Sequence, residues 1–147
     1  METALTTKFG DGTYRFWLPM PRVIAAEREI SGSILALFYD IAEALGESVG
    51  GTIVLAGSTD ARLKSCHAVI RNALVGGNEG QVDGEIIAVG DTLARELVET
   101  YCYPARPAMH DIALAWEILR AAVYGIDATA QKKRTGAGAQ TPDPQPS

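Results

Sequence analysis

Two pairs of neighbouring residues in this chain bring reactive groups together: Cys66 with His67, and His110 with Asp111. A thiol served by an imidazole is the arrangement that makes a thiolate nucleophile. Successive residues of a helix point about 100° apart, however, so Cys66 and His67 do not face each other. A structural role is expected for His67. Asp111 falls at the start of a helical segment, where the helix dipole favours a negative charge, and a solvent-facing cap is expected of it. No His-x-x-x-His, Glu-x-x-His or Cys-x-x-Cys spacing occurs, so nothing in the spacing calls for a metal or a cofactor. The chain reads as something other than an enzyme.

The glycines do not supply a phosphate loop either. Gly76-Gly-Asn-Glu-Gly80 follows a helical segment and lacks the Gly-Lys-Ser/Thr ending. Gly50-Gly51 precedes an apolar run, the reverse of the order a dinucleotide site needs. Both read as helix stops and hinges. Glu96 and Glu99 stand three apart, with Arg95 and solvent to account for them, and no Ser or Thr sits in a nucleophile elbow.

The aromatic residues carry more information. In Thr13–Leu18, Tyr14, Phe16 and Leu18 share one face of a strand, while Thr13, Arg15 and Trp17 share the other. With the first face packed inward, Trp17 points outward beside Arg15, the composition of an interaction hot spot. The competing reading has Trp17 covered by the chain's own Thr52–Ala56. Tyr101 and Tyr103, with Arg106, form a second aromatic surface. The candidate protein-binding residues are therefore Arg15, Trp17, Tyr101, Tyr103 and Arg106.

These residues must be positioned by a mainly helical α+β fold. Leu5–Phe9 and Thr13–Leu18 alternate around Gly10-Asp11-Gly12, the pattern of a β-hairpin. A hairpin is not stable alone, so it must lie on helices. Pro21 suits the first turn of a helix to Ile30, with Val23, Ala26 and Ile30 inward and Glu27, Arg28 and Glu29 mostly outward. Ser33 caps the next, whose Ile34, Leu37, Phe38, Ile41 and Leu45 make a core-facing stripe closed by Gly46. Thr52–Ala56 is a short strand or an inward loop. Thr59-Asp60 opens a helix to about Val75, with Leu63, Cys66 or His67, Ile70 and Leu74 inside. Asp83-Gly84 lies between short apolar pieces and suggests a second, minute hairpin. Asp91-Thr92 caps a helix bearing Leu93, Ala94, Leu97, Val98 and Tyr101. Tyr103 and Arg106 each precede a proline, which makes 101–107 a stiff connector. The last of about five short helices runs over about 108–124, burying Ile112, Ala115 or Trp116, Leu119 and Val123.

With 147 residues, 47% of them hydrophobic, the chain can build one core, taken as residues 1–127. Residues 1–127 carry 10 basic and 17 acidic side chains, a balance unsuited to phosphate backbones, so no nucleic-acid partner is expected. No apolar run approaches bilayer length, the N-terminus lacks a basic leader, and two isolated cysteines fit a reducing compartment. A cytoplasmic protein without a membrane partner is expected. Residues 128–147 are polar and rich in Pro and Gly, the composition of a disordered tail.

Five segments then add a resemblance. Phe9-Gly-Asp-Gly-Thr-Tyr-Arg-Phe16, Ile24–Glu29 with Gly32-Ser-Ile34, Val69–Gly77, Ala94–Tyr101 through Arg106-Pro107, and Leu119–Gly125 occur in the order found in the small tail-module proteins of gene transfer agents. Those are phage-like particles of alphaproteobacteria. The chain resembles this family over residues 9–125. Its members are labelled either tail tube protein or tail assembly chaperone. A tube subunit is a β-sandwich or barrel and needs many regularly spaced strands, whereas this chain has one clear hairpin and five helices. The resemblance therefore implies a chaperone that coats the tape measure protein, keeps it soluble and recruits tail tube protein, with self-association along the client supplying avidity. A structural tube or connector component of a gene transfer agent or prophage particle is the alternative. A small enzyme or ligand-binding domain is a third reading, and no constellation in the sequence supports it.

Overall fold

The computed structural model describes residues 1–45, 48–49, 52–53 and 63–126. The expected disordered tail, the Gly46 stop, the Thr59-Asp60 cap and Val54–Ala56 lie outside the described residues. Strands β1 (Leu5–Phe9) and β2 (Gly12–Phe16) form the N-terminal hairpin. Phe9 pairs with Gly12, which leaves a two-residue loop, Gly10-Asp11. The left-handed φ falls on Gly10 at +58°, where a type II′ turn requires glycine.

The hairpin is not solitary. Strands β5 (Gly80–Val82) and β6 (Glu85–Ile87) extend it into a four-stranded antiparallel sheet of order β1-β2-β5-β6. Asp83 and Gly84 both have positive φ, the type I′ turn that an Asp-Gly pair favours between two strands. Tyr14 pairs with Gly80 across the join. Strands β3 (Ser48–Val49) and β4 (Thr52–Ile53) form a separate two-residue pair. Fold class is thus mainly helical α+β, with a larger sheet than one hairpin.

Helix α3 (Leu63–Gly77) is the centre of the packing. Cys66, Val69, Ile70, Ala73 and Leu74 are buried along it, and it packs against α1 (Met20–Ile30), α4 (Asp91–Tyr101), α5 (Ala108–Tyr124) and strand β2. Its last turn corrects the expectation of a glycine stop before the sheet. Gly76 and Gly77 are helical and lie flush on β2: a Cβ on Gly77 would stand 1.9 Å from the Arg15 carbonyl oxygen, and one on Gly76 2.1 Å from that of Trp17. The absence of side chains lets backbone meet backbone. Trp17 donates its N–H to the Ala73 carbonyl, and Arg15 donates to Glu79.

Helix α1 is fixed to α3 by polar groups that its sequence pattern assigns to solvent. Glu29 pairs with Arg71 and accepts from the buried Asn72 amide, which also donates to the Ala68 carbonyl. Glu27 turns forward to accept from the Ile34 N–H, joining Ser33 Oγ in capping α2 (Ile34–Leu45). On α2, Ile34, Leu37, Phe38 and Ile41 are buried as the stripe predicts. Gly90, rather than Asp91, occupies the N-cap of α4, and Asp91 bonds Arg95 one turn on. On α5 the buried face runs through Ile112, Leu114, Ala115, Ile118, Leu119 and Ala121, while Val123 faces outward.

The α3–β2 contact sets the first test. Gly77→Ala must separate the helix from the strand and should destabilise the protein by about 3 kcal/mol, the upper range for overpacking. Gly32→Ala, whose Cβ would meet nothing nearer than 3.9 Å, should change stability by less than about 0.5 kcal/mol. Urea denaturation of the two variants measures the contrast.

Candidate functional site

The polar centre of the molecule is Asp111, in the first turn of α5. It is fully buried rather than a solvent-facing cap. The reason is that the 101–107 connector folds back over it. Two prolines shape that connector, with a cis bond between Tyr103 and Pro104. Tyr103 donates its backbone N–H to Asp111 Oδ2 at 2.7 Å, and Arg106 Nε donates to Oδ1 at 2.7 Å. His67 Nε2 approaches Oδ2 from α3 at 2.7 Å, so the imidazole donates through that nitrogen. His110, the neighbour in sequence, is exposed and takes no part.

Burial would push the Asp111 carboxyl upward. The bonds from His67, the Tyr103 N–H and Arg106, with the Arg106 charge, outweigh it and hold the group below the usual carboxylate range. The anion then acts on its neighbours. Cys66 is pushed up to about 12 by burial and by the Asp111 charge. Cys102 is likewise pushed up to about 12, by burial first and Asp111 second, with Arg106 opposing. Both cysteines are neutral thiols at physiological pH, so neither is an activated nucleophile. As it stands, the constellation ties α3, the connector and α5 together through one charge.

The described residues of the cluster still offer three unlike donors. A ring nitrogen of His67, Cys102 Sγ and an Asp111 oxygen lie within 4.8 Å of one another. No short motif announces this set, because its members come from the middle of α3, the end of α4 and the start of α5. The only trace in the sequence is the pair of prolines that turns residues 103 and 106 back toward 111.

The five residues singled out for binding divide between inside and outside. Arg15 lies over the Trp17 ring at 4.9 Å and bonds the Gly77 carbonyl; Trp17 is half-buried on the outer face and donates Nε1–H to Thr3. Tyr101 turns inward, edge-on to Phe9 at 6.1 Å and over the Gly10 turn. Arg106 is committed to Asp111 and lies over the Phe9 ring at 5.3 Å. Tyr103 alone of the five is exposed.

Among the described residues, helical periodicity does not mark one exposed aromatic group. Tyr39 of α2 and Tyr124 at the end of α5 are 63% and 61% exposed, and each ring lies 5.9 Å from that of Phe38. Phe38 in turn stacks on Trp116 at 6.2 Å, and Leu35 is exposed one turn before Tyr39. Glu96 and Glu99 remain exposed, with Arg95 paired to Asp91 instead. No described helix is long and apolar enough to cross a membrane.

Searches against protein-family models, curated proteins and solved structures find no match to this chain.

Asp111→Asn removes the charge and one of the two acceptor oxygens, and sets an amide NH2 against donors that now share a carboxylate. Asp111→Asn should cost about 3–5 kcal/mol at neutral pH, as breaking a buried pair does. Because the folded pKa lies below the unfolded one, the stabilisation by Asp111 is complete above the ordinary value of 3.8 and is lost as pH falls through the lower folded value. Denaturant unfolding followed from pH 7 into the acid range should show that limb in the wild type and a flatter one in Asp111→Asn.

Proposed function

We propose that this protein is a tail assembly chaperone of a phage-like particle, binding the tape measure protein and assisting tail tube assembly. The observation that carries the reading beyond the family resemblance is the exposed pair Tyr39 and Tyr124, both against Phe38, with exposed Leu35 one turn before Tyr39 on α2. Apolar residues one turn apart on a helix suit the stripe of an amphipathic client helix. Met20 and Ile24 repeat that spacing on α1. Contiguous exposed apolar surface is the kind that interaction sites use. Arg15 and Trp17 supply a second contact of hot-spot composition on the sheet. The described sheet, with four short strands on a helical body, supports a chaperone over a tube subunit, whose sandwich needs many strands in two packed sheets.

Co-expression with a tape measure protein of the same tail module tests this. Wild-type chain should co-purify with it and be nearly absent from purified particles. Tyr39→Ser combined with Tyr124→Ser should cut the captured amount at least about fivefold while leaving helicity unchanged, since surface substitutions rarely disturb stability. Trp17→Ala should also weaken capture with helicity kept; a joint loss of helicity would place Trp17 in the fold rather than the interface. Failure to co-purify would end the reading. Stoichiometric presence in the particle would make the protein a structural tail component instead.

A further inference from the structure

Asp111, His67 and Cys102 do more than brace the connector. We propose that these three side chains form a binding site for a single divalent transition-metal ion of the zinc class. The chemistry of the donors selects the ion: nitrogen, sulfur and carboxylate oxygen together suit a borderline-soft cation, whereas calcium and magnesium call for oxygen alone. Three protein ligands are also the number that leaves a fourth position open.

The geometry needs little change. With metal–ligand bonds of about 2.0–2.3 Å, ligands of a tetrahedral ion stand roughly 3.3–3.7 Å apart. The three donors already lie within 4.8 Å of one another, so small shifts suffice: the thiol sulfur draws in, and the His67–Asp111 pair opens from 2.7 Å to admit the ion. The His67–Asp111 contact of 2.7 Å is a hydrogen bond, and there the ion takes the place of the shared proton. His67 is the ligand free to adjust, its side chain being 24% exposed while Asp111 is fully buried. It also forms part of the wall of a cavity of about 460 Å³ between α1, α3 and α4, so an ion would reach the cluster from the His67 side.

The Cys102 thiol proton goes to solvent, the imidazole proton moves by solvent exchange from Nε2 to Nδ1 so that Nε2 can ligate, and the dication with one thiolate and one carboxylate is neutral. Arg106 stays on the other carboxylate oxygen, as an outer partner orienting the ligand, and keeps the face of Phe9 for its charge. Cys66, next to His67 in sequence and buried, lies outside the ligand set and serves as an internal control.

The test is a titration of metal-free, full-length protein with Co²⁺ at neutral pH. A saturable one-to-one thiolate-to-cobalt charge-transfer band is expected, bleached when Zn²⁺ competes. Cys66→Ser should retain the band and Cys102→Ser should lose it, with circular dichroism checking that both variants fold. Absence of the band in the wild type overturns the proposal whatever the variants do. So does cobalt binding without a sulfur band, or a band that survives Cys102→Ser.

Discussion

Everything in the described fold depends on how closely α3 can approach strand β2. A helix normally stands off a sheet by the width of its side chains. Here Gly76 and Gly77 remove that width, and the final turn of α3 rests on the carbonyls of Arg15 and Trp17. Two consequences follow from this one contact. The chain leaves α3 already beside β2, so Gly80–Val82 adds to the sheet instead of forming a separate hairpin. The opposite, apolar side of α3 is left to α1, α4 and α5, which gather around Val69, Ile70, Ala73 and Leu74.

The aromatic residues lock this arrangement from the sheet side. Phe9 meets Tyr14, Phe16 and Tyr101 edge-on, at 6.1, 5.7 and 6.1 Å, and receives the Arg106 guanidinium on its face. Such edge contacts add to the area each ring buries. Phe9 therefore joins the hairpin to the end of α4 and to the connector beyond it. That connector is the same segment whose N–H and guanidinium satisfy Asp111. A buried carboxylate is tolerated only where donors compensate its lost hydration, and here three protein groups converge on it. The polar centre and the aromatic core thus share residues, and the proposed metal site is built on that shared framework.

The client-binding reading rests on what this packing leaves over. Helix α2 buries Ile34, Leu37, Phe38 and Ile41, yet it still presents Leu35 and Tyr39 on its other side. Those two side chains are apolar surface that the core does not use. A protein whose task is to hold another helix would have a use for the surplus.

Local patterning was sufficient for much of the secondary structure. Alternation around Gly10-Asp11-Gly12 marks the hairpin, the Asp83-Gly84 pair marks the second turn, and the stripe from Ile34 to Ile41 marks the buried side of α2. The bounds of α5 follow from Pro107 and Gly125. These features are legible because each depends on residues within a few positions of one another. Tertiary structure decided the rest. Whether Gly76-Gly77 ends a helix or seats it on a strand depends on residues sixty positions earlier. Whether Asp111 meets solvent or three donors depends on where a proline-bent connector lands. Sequence spacing reports neighbours along a helix or strand, whereas burial and charge compensation are settled between segments that only folding brings together. For that reason Asp111 reads as an ordinary helix start in the chain and becomes a buried charge held by three donors in the fold.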